Sequence, residues 1–144
     1  MKVGAVLVAV TIACVATNGM SEGRSIVVGD SQGWRAGTNY TDWAIRNSPF
    51  RINDTLVFKY AAPAEGRAAQ SVYVMPDLWS FVTCDFKQAK LVGSPTEGSG
   101  QGFEVQLSRR QPYYFASADA NGYDCIAGLT KFVATPQHPT SPFN

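Results

Sequence analysis

The stretch PYYFASADANGYDCIAGL, from Pro112 to Leu129, decides how this chain is read. Tyr113, Tyr114 and Phe115 make an aromatic strand by propensity. A loop containing Gly122 follows, then Cys125 and a further turn at Gly128. Strand–loop–strand segments of this kind, late in small all-β domains, often carry a metal site. Which side chains fill that place is therefore the main functional question.

Outward from this stretch, short strands alternate with turn signals. Lys131–Ala134 follows it as a last strand, and Phe103–Leu107 precedes it with the strict apolar–polar alternation of a half-buried strand. Lys90–Val92, Gln70–Met75 (closed by Pro76), Leu56–Tyr60 and Ser25–Val28 read as strands on β-branched and aromatic content. Two short helical turns interrupt them. One runs through Trp43, Ala44 and Ile45, with Thr41 as N-cap and Asn47-Ser48-Pro49 as its end. The other is capped by Asp77 and leads to Cys84. Trp34, Tyr40 and Trp43 read as core. Strands of three to six residues at this spacing describe an all-β sandwich or barrel with one or two short helical turns.

The chain has 144 residues, enough for one ordinary domain. Its net charge of +1 and charged share of 16% give no reason to expect a nucleic-acid or acidic-lipid partner. Met1-Lys2 followed by the apolar run Val3–Ala16 predicts a secretory signal over residues 1–23, cleaved after Ala16 or after Gly23. The run is short for a membrane span, which needs about twenty residues. Residues 24–134 are then the domain, and 135–144 a Pro-containing tail with no lipid-anchor signal. A secreted, extracellular protein with no transmembrane segment is expected. Cys14 would leave with the signal, so Cys84 and Cys125 remain. In an oxidising compartment two cysteines most simply pair, with free thiols or metal ligation as alternatives.

Taken together, Val28-Gly29-Asp30-Ser31-Gln32-Gly33-Trp34, Tyr40-Thr41-Asp42-Trp43-Ala44, Phe50 to Tyr60, Gln70-Ser71-Val72, Tyr114-Phe115 and Cys125-Ile126-Ala127-Gly128 resemble a plant phytocyanin of the cupredoxin superfamily. The resemblance spans about residues 25 to 134. It implies a Greek-key β-sandwich and matches Cys84 and Cys125 to the family's disulfide. Copper-binding members surround the metal with two His, one Cys and an axial Met or Gln. Carried onto this sequence, those positions fall on Gln70, Ser117, Asp124 and Leu129, with the Ser117–Asp124 loop about two residues longer than the copper-binding pattern. The chain's one histidine, His138, lies in the tail, so no register supplies two imidazoles. A domain of this kind without ligands resembles the early nodulin-like branch, associated with the plant cell surface, plasma membrane and extracellular matrix.

The expectation is therefore a non-enzymatic module with no cofactor and no metal. Its partner would be a cell-wall carbohydrate or an extracellular protein, held on a surface of Gln70, Tyr73, Trp79, Tyr123 and Leu129. A copper electron carrier is the alternative. No Ser-His-Asp or Cys-His arrangement is possible in the domain. Asp119 and Asp124 could be imagined as an acid–base pair, or with Asn121 as Ca²⁺ ligands, but loop carboxylates are usually only solvated. Asn39-Tyr40-Thr41 and Asn53-Asp54-Thr55 are N-glycosylation sequons, Asn39 expected in a loop and Asn53 just before a strand.

Overall fold

A computed structural model describes residues 23–119 and 123–138. The expected signal segment up to residue 22, the Ca²⁺ candidate Asn121 and the tail from residue 139 lie outside the described residues. Seven strands form two sheets: β1 (Ser25–Val27), β2 (Thr55–Phe58), β3 (Val72–Met75), β4 (Lys90–Gly93), β5 (Phe103–Gln106), β6 (Tyr113–Ala116) and β7 (Lys131–Ala134). One sheet has the order β1-β2-β5, with β1 parallel and β5 antiparallel to β2. The other has the order β4-β3-β6-β7 and is antiparallel throughout. The aromatic strand read from the sequence is thus β6, central in the larger sheet.

The two sheets close on an aromatic core. Phe58 of β2, Phe115 of β6 and Phe132 of β7 are fully buried with Trp34 and Tyr40. Trp34 meets Phe58 edge-on at 5.1 Å, and Phe132 lies within 6 Å of the rings of Trp34, Trp43 and Phe115. Each such side chain contributes about 2–3 kcal/mol of burial, with up to about 1 kcal/mol more for favourable ring geometry. The Trp34 indole N–H is satisfied by the Ser71 carbonyl at 2.8 Å, which ties the loop before β3 to the core.

Among the described residues three α-helices, with one 3-10 turn at Asp30–Gln32, connect the strands. In α1 (Tyr40–Asn47), Tyr40, Trp43 and Ala44 are buried at i, i+3 and i+4, the spacing that puts them on one face against β7. Its N-cap is Asn39 rather than the expected Thr41: Asn39 Oδ1 accepts from the Asp42 amide at 3.1 Å. Asn39 is thus the last loop residue before the helix, as expected, and also its cap. The helix ends at Ser48, before a cis Ser48–Pro49 bond. In α2 (Leu78–Thr83), Asp77 caps as expected, forming a reciprocal capping box with Ser80. The four-residue α3 (Tyr123–Ile126) is not visible in the sequence, since one turn offers no periodicity to detect. The Ala127 and Gly128 amides close the turn on the Tyr123 carbonyl, and tertiary bonds hold it in place: Cys125 is bonded to Cys84, and the Gly37 amide donates to the Gly128 carbonyl at 2.9 Å.

Opposite this end, Asp54 anchors the chain entry. Its buried carboxylate accepts from the Arg24 and Arg51 amides at 2.8 and 2.9 Å and pairs with the Arg24 guanidinium at 3.0 Å. Burial alone would raise its pKa, but these donors outweigh burial and hold it below the ordinary carboxylate value.

Candidate functional site

Sheet register assembles the site. Because β3 and β6 run antiparallel with Tyr73 opposite Ala116, the residues just before β3 lie beside those just after β6. The pairing continues through side chains: the Ser71 amide donates to Ser117 Oγ at 3.2 Å, and the Ala118 amide donates to Ser71 Oγ at 3.3 Å. Gln70 and Ser117 thereby meet, and the Cys84–Cys125 bridge brings α3 against them with Asp124 pointing in. The bridge joins the C-cap of α2 to α3, with 6.0 Å between Cα atoms, so the pairing expected of the two cysteines is present. Lys131 reinforces that corner. Its ammonium donates to the Phe81 and Val82 carbonyls at the end of α2, at 2.9 and 3.3 Å, where a cation complements the helix dipole.

Three of the four positions aligned to copper ligands therefore converge. Ser117 Oγ lies 3.3 Å from Gln70 Oε1, 3.2 Å from Asp124 Oδ2 and 3.1 Å from Asp119 Oδ2. One hydroxyl proton cannot serve three acceptors at once. Burial pushes the pKa of Asp124 up and the Asp119 charge pushes the same way, while bonds from Ser117 and Gln70 pull against them without prevailing. Gln70, Ser117 and Asp124 are all buried. Leu129 stays apart from this cluster, being 47% exposed with a left-handed φ of 59°.

The donor set does not fit type 1 copper. Such a site needs a thiolate and two imidazoles, whereas the converging groups are an amide, a hydroxyl and a carboxyl. Both cysteines of the domain are bonded to each other, and His138 is exposed beyond β7. Among the described residues no three His, Cys, Asp or Glu side chains gather in a metal-holding group. The two carboxylates imagined as an acid–base pair, Asp119 and Asp124, are brought together, but on a shared hydroxyl.

The surrounding surface differs from the five-residue face expected from the sequence. Trp79, Tyr123 and Leu129 are exposed, but Tyr73 is half-buried with its ring edge-on to Phe86 at 5.2 Å. Of the five, only Gln70 lines the cavity of about 850 Å³ at this end of the sandwich. Arg35, Lys59, Tyr60 and Arg67 line it too, and sequence reading singled out none of these as site residues. They come from separate loops with no common motif, so only the fold juxtaposes them. Both sequon asparagines are exposed, Asn39 at its helix start and Asn53 in a turn with φ of 80° before β2.

No family model matches the chain. Early nodulin-like protein 4 of Arabidopsis thaliana is 29% identical over 132 residues, covering 84% of this chain. The chain spans 53% of that relative's length, so it matches about half of it. Among solved structures, cucumber stellacyanin with Cu²⁺ superposes with a TM-score of 0.64 at 23% identity, covering 83% of this chain and 100% of that one. Spinach plantacyanin superposes with a TM-score of 0.53 at 20% identity, covering 78% of this chain and 99% of that one. The fold agrees with the resemblance read from the sequence: the chain has the cupredoxin-like fold of stellacyanin and plantacyanin and is similar in sequence to an early nodulin-like protein.

Proposed function

We propose that this chain is an extracellular, non-enzymatic module of early nodulin-like type that binds a carbohydrate or protein partner and carries no type 1 copper. One observation carries the reading. Three of the four positions that align with copper ligands come together, and they hold a hydrogen-bonded Gln70–Ser117–Asp124 cluster in place of sulfur and imidazole. An electron carrier of the family's kind needs a soft thiolate to hold Cu(I), and no free cysteine is present in the described domain. Hydrolysis fares no better, because Asp124 is buried under Ser117 and does not face a substrate gap.

Placement outside the cell is supported by the predicted signal over residues 1–23 and the cysteine pairing. Among the described residues no helix is long and apolar enough to cross a membrane. Binding is tested with the secreted protein on a glycan array and in pull-downs from plant wall polysaccharide and extracellular protein fractions. Saturable retention of a carbohydrate or a discrete protein is expected. Failure to retain any ligand from either source would leave a purely structural role and overturn the binding reading.

A further inference from the structure

The lining of the cavity beside Gln70 carries three cations, Arg35, Lys59 and Arg67, and no carboxylate among the described residues. None of the three cations is in a salt bridge among those residues. The Arg35 guanidinium is held by Gln32 Oε1, and Arg67 donates to the Ala62 carbonyl at 3.3 Å. Both heads are thus positioned by neutral acceptors that leave their charge available. Glu97, beside the Gly98–Gly100 rim, accepts from the Ser94 amide at 2.6 Å; its charge and that of Asp119 reach the cavity at Tyr60, whose pKa is pushed up to about 12 by burial first and by these two carboxylates second.

Size and remaining lining narrow the ligand. A volume of about 850 Å³ lies within the range of roughly 300–1,000 Å³ typical of small-molecule sites. Small residues, Ala36, Ala61, Ala62 and Ala68, keep the space open, and Gln32, Gln70, Ser31 and Ser99 add neutral hydrogen-bonding groups. Few charges among many neutral polar groups suit a hydroxyl-rich molecule carrying carboxylates. Guanidinium heads meet a carboxylate through paired N–H donors.

We propose that this cavity is a binding site for an anionic oligosaccharide of uronate type. The inference rests on the reading of the chain as a carbohydrate-binding module and names the class of carbohydrate. Recognition is electrostatic at Arg35, Lys59 and Arg67 and hydrogen-bonding at Gln70, so affinity falls as salt rises.

The test titrates the secreted protein with a galacturonate trimer, its neutral galactose counterpart and a sulfated disaccharide, by calorimetry and by NMR. The expected result is saturable uronate binding that shifts resonances at the three cations. It should weaken at least tenfold in an Arg35→Gln/Lys59→Gln variant and in Ala68→Glu, which places a carboxylate on the lining. Both changes are at exposed positions, and unchanged unfolding midpoints would show that the fold is intact. Equal binding of the neutral trimer would overturn the anionic assignment while leaving carbohydrate binding standing. Preference for the sulfated sugar would overturn the uronate assignment. Undiminished uronate binding in both variants, or none in the wild type, would overturn the site.

Discussion

Replacing Cys84 and Cys125 together by Ala removes the bond that holds α3, and with it Asp124, against the end of β6. The cost can be worked from the structure. The bridge closes a loop with a sequence separation of 41 residues. In the chain-entropy treatment of a cross-link that corresponds to about 4 kcal/mol at 25 °C. For a domain of this size the midpoint of thermal unfolding should fall by about 15 °C. A second variant refines the estimate. Cys84 occupies the left-handed region, with φ of 56°, where a residue with a Cβ costs about 1–2 kcal/mol relative to glycine. Cys84→Gly with Cys125→Ala should therefore recover about 1 kcal/mol of the loss. Equilibrium denaturation followed by tryptophan fluorescence reports both, because Trp34 and Trp43 are buried in the core. The denaturant slope should rise as well, since the uncrosslinked chain exposes more surface when unfolded. A loss below about 1 kcal/mol with an unchanged slope would refute the loop-entropy reasoning.

Other outcomes follow from single residues. Asp54→Asn should destabilise by about 2–3 kcal/mol, because it weakens three donor contacts to a buried charge. Asp54's folded pKa is lowered, so its contribution is present above the unfolded value and is lost as pH falls through the folded one. The difference between wild type and variant should shrink in acid, and a pH-independent difference would contradict this. Asp124 carries the opposite sign. With its folded pKa raised, the wild type has this group's full stability below the unfolded value and loses it as pH rises through the folded one. Asp124→Asn should therefore gain on the wild type between acid and neutral pH in denaturant midpoints, and a parallel pH dependence would count against a buried, strained carboxyl. In a secretory host, Asn39→Gln should remove a glycan mass and also cost about 1 kcal/mol of helix capping. Asn39→Asp should remove the glycan while keeping the cap; equal stability of the two variants would exclude the capping role.

Much of the architecture was legible because strands with strong periodicity announce themselves. Phe103–Gln106 alternates as expected, and β6 lies where Tyr113 to Ala116 are rich in aromatics. The Asp77 cap was legible because capping chemistry is local. Thr41 was mistaken for the cap because Asn39 and Thr41 are both good caps two positions apart, and only packing of Tyr40 chooses between them. The convergence of Gln70, Ser117 and Asp124 was readable only through the resemblance, since sheet register and a disulfide, not sequence proximity, bring them together. Nothing local marked Arg35, Lys59 and Arg67 as neighbours, because isolated loop cations are ordinarily solvated. Tyr73 could be read from the sequence as either surface or core, and the structure half-buries it with its ring edge-on to Phe86 from another loop.

The central claim is that Gln70, Ser117 and Asp124 form a closed polar cluster that cannot bind copper of the blue type. Titrating the purified protein with Cu²⁺ while recording visible absorbance tests it directly. The account predicts no intense blue band at any stoichiometry, because both cysteines of the described residues are bonded to each other and leave no thiolate there for the metal. A blue form saturating at one copper per chain would contradict it.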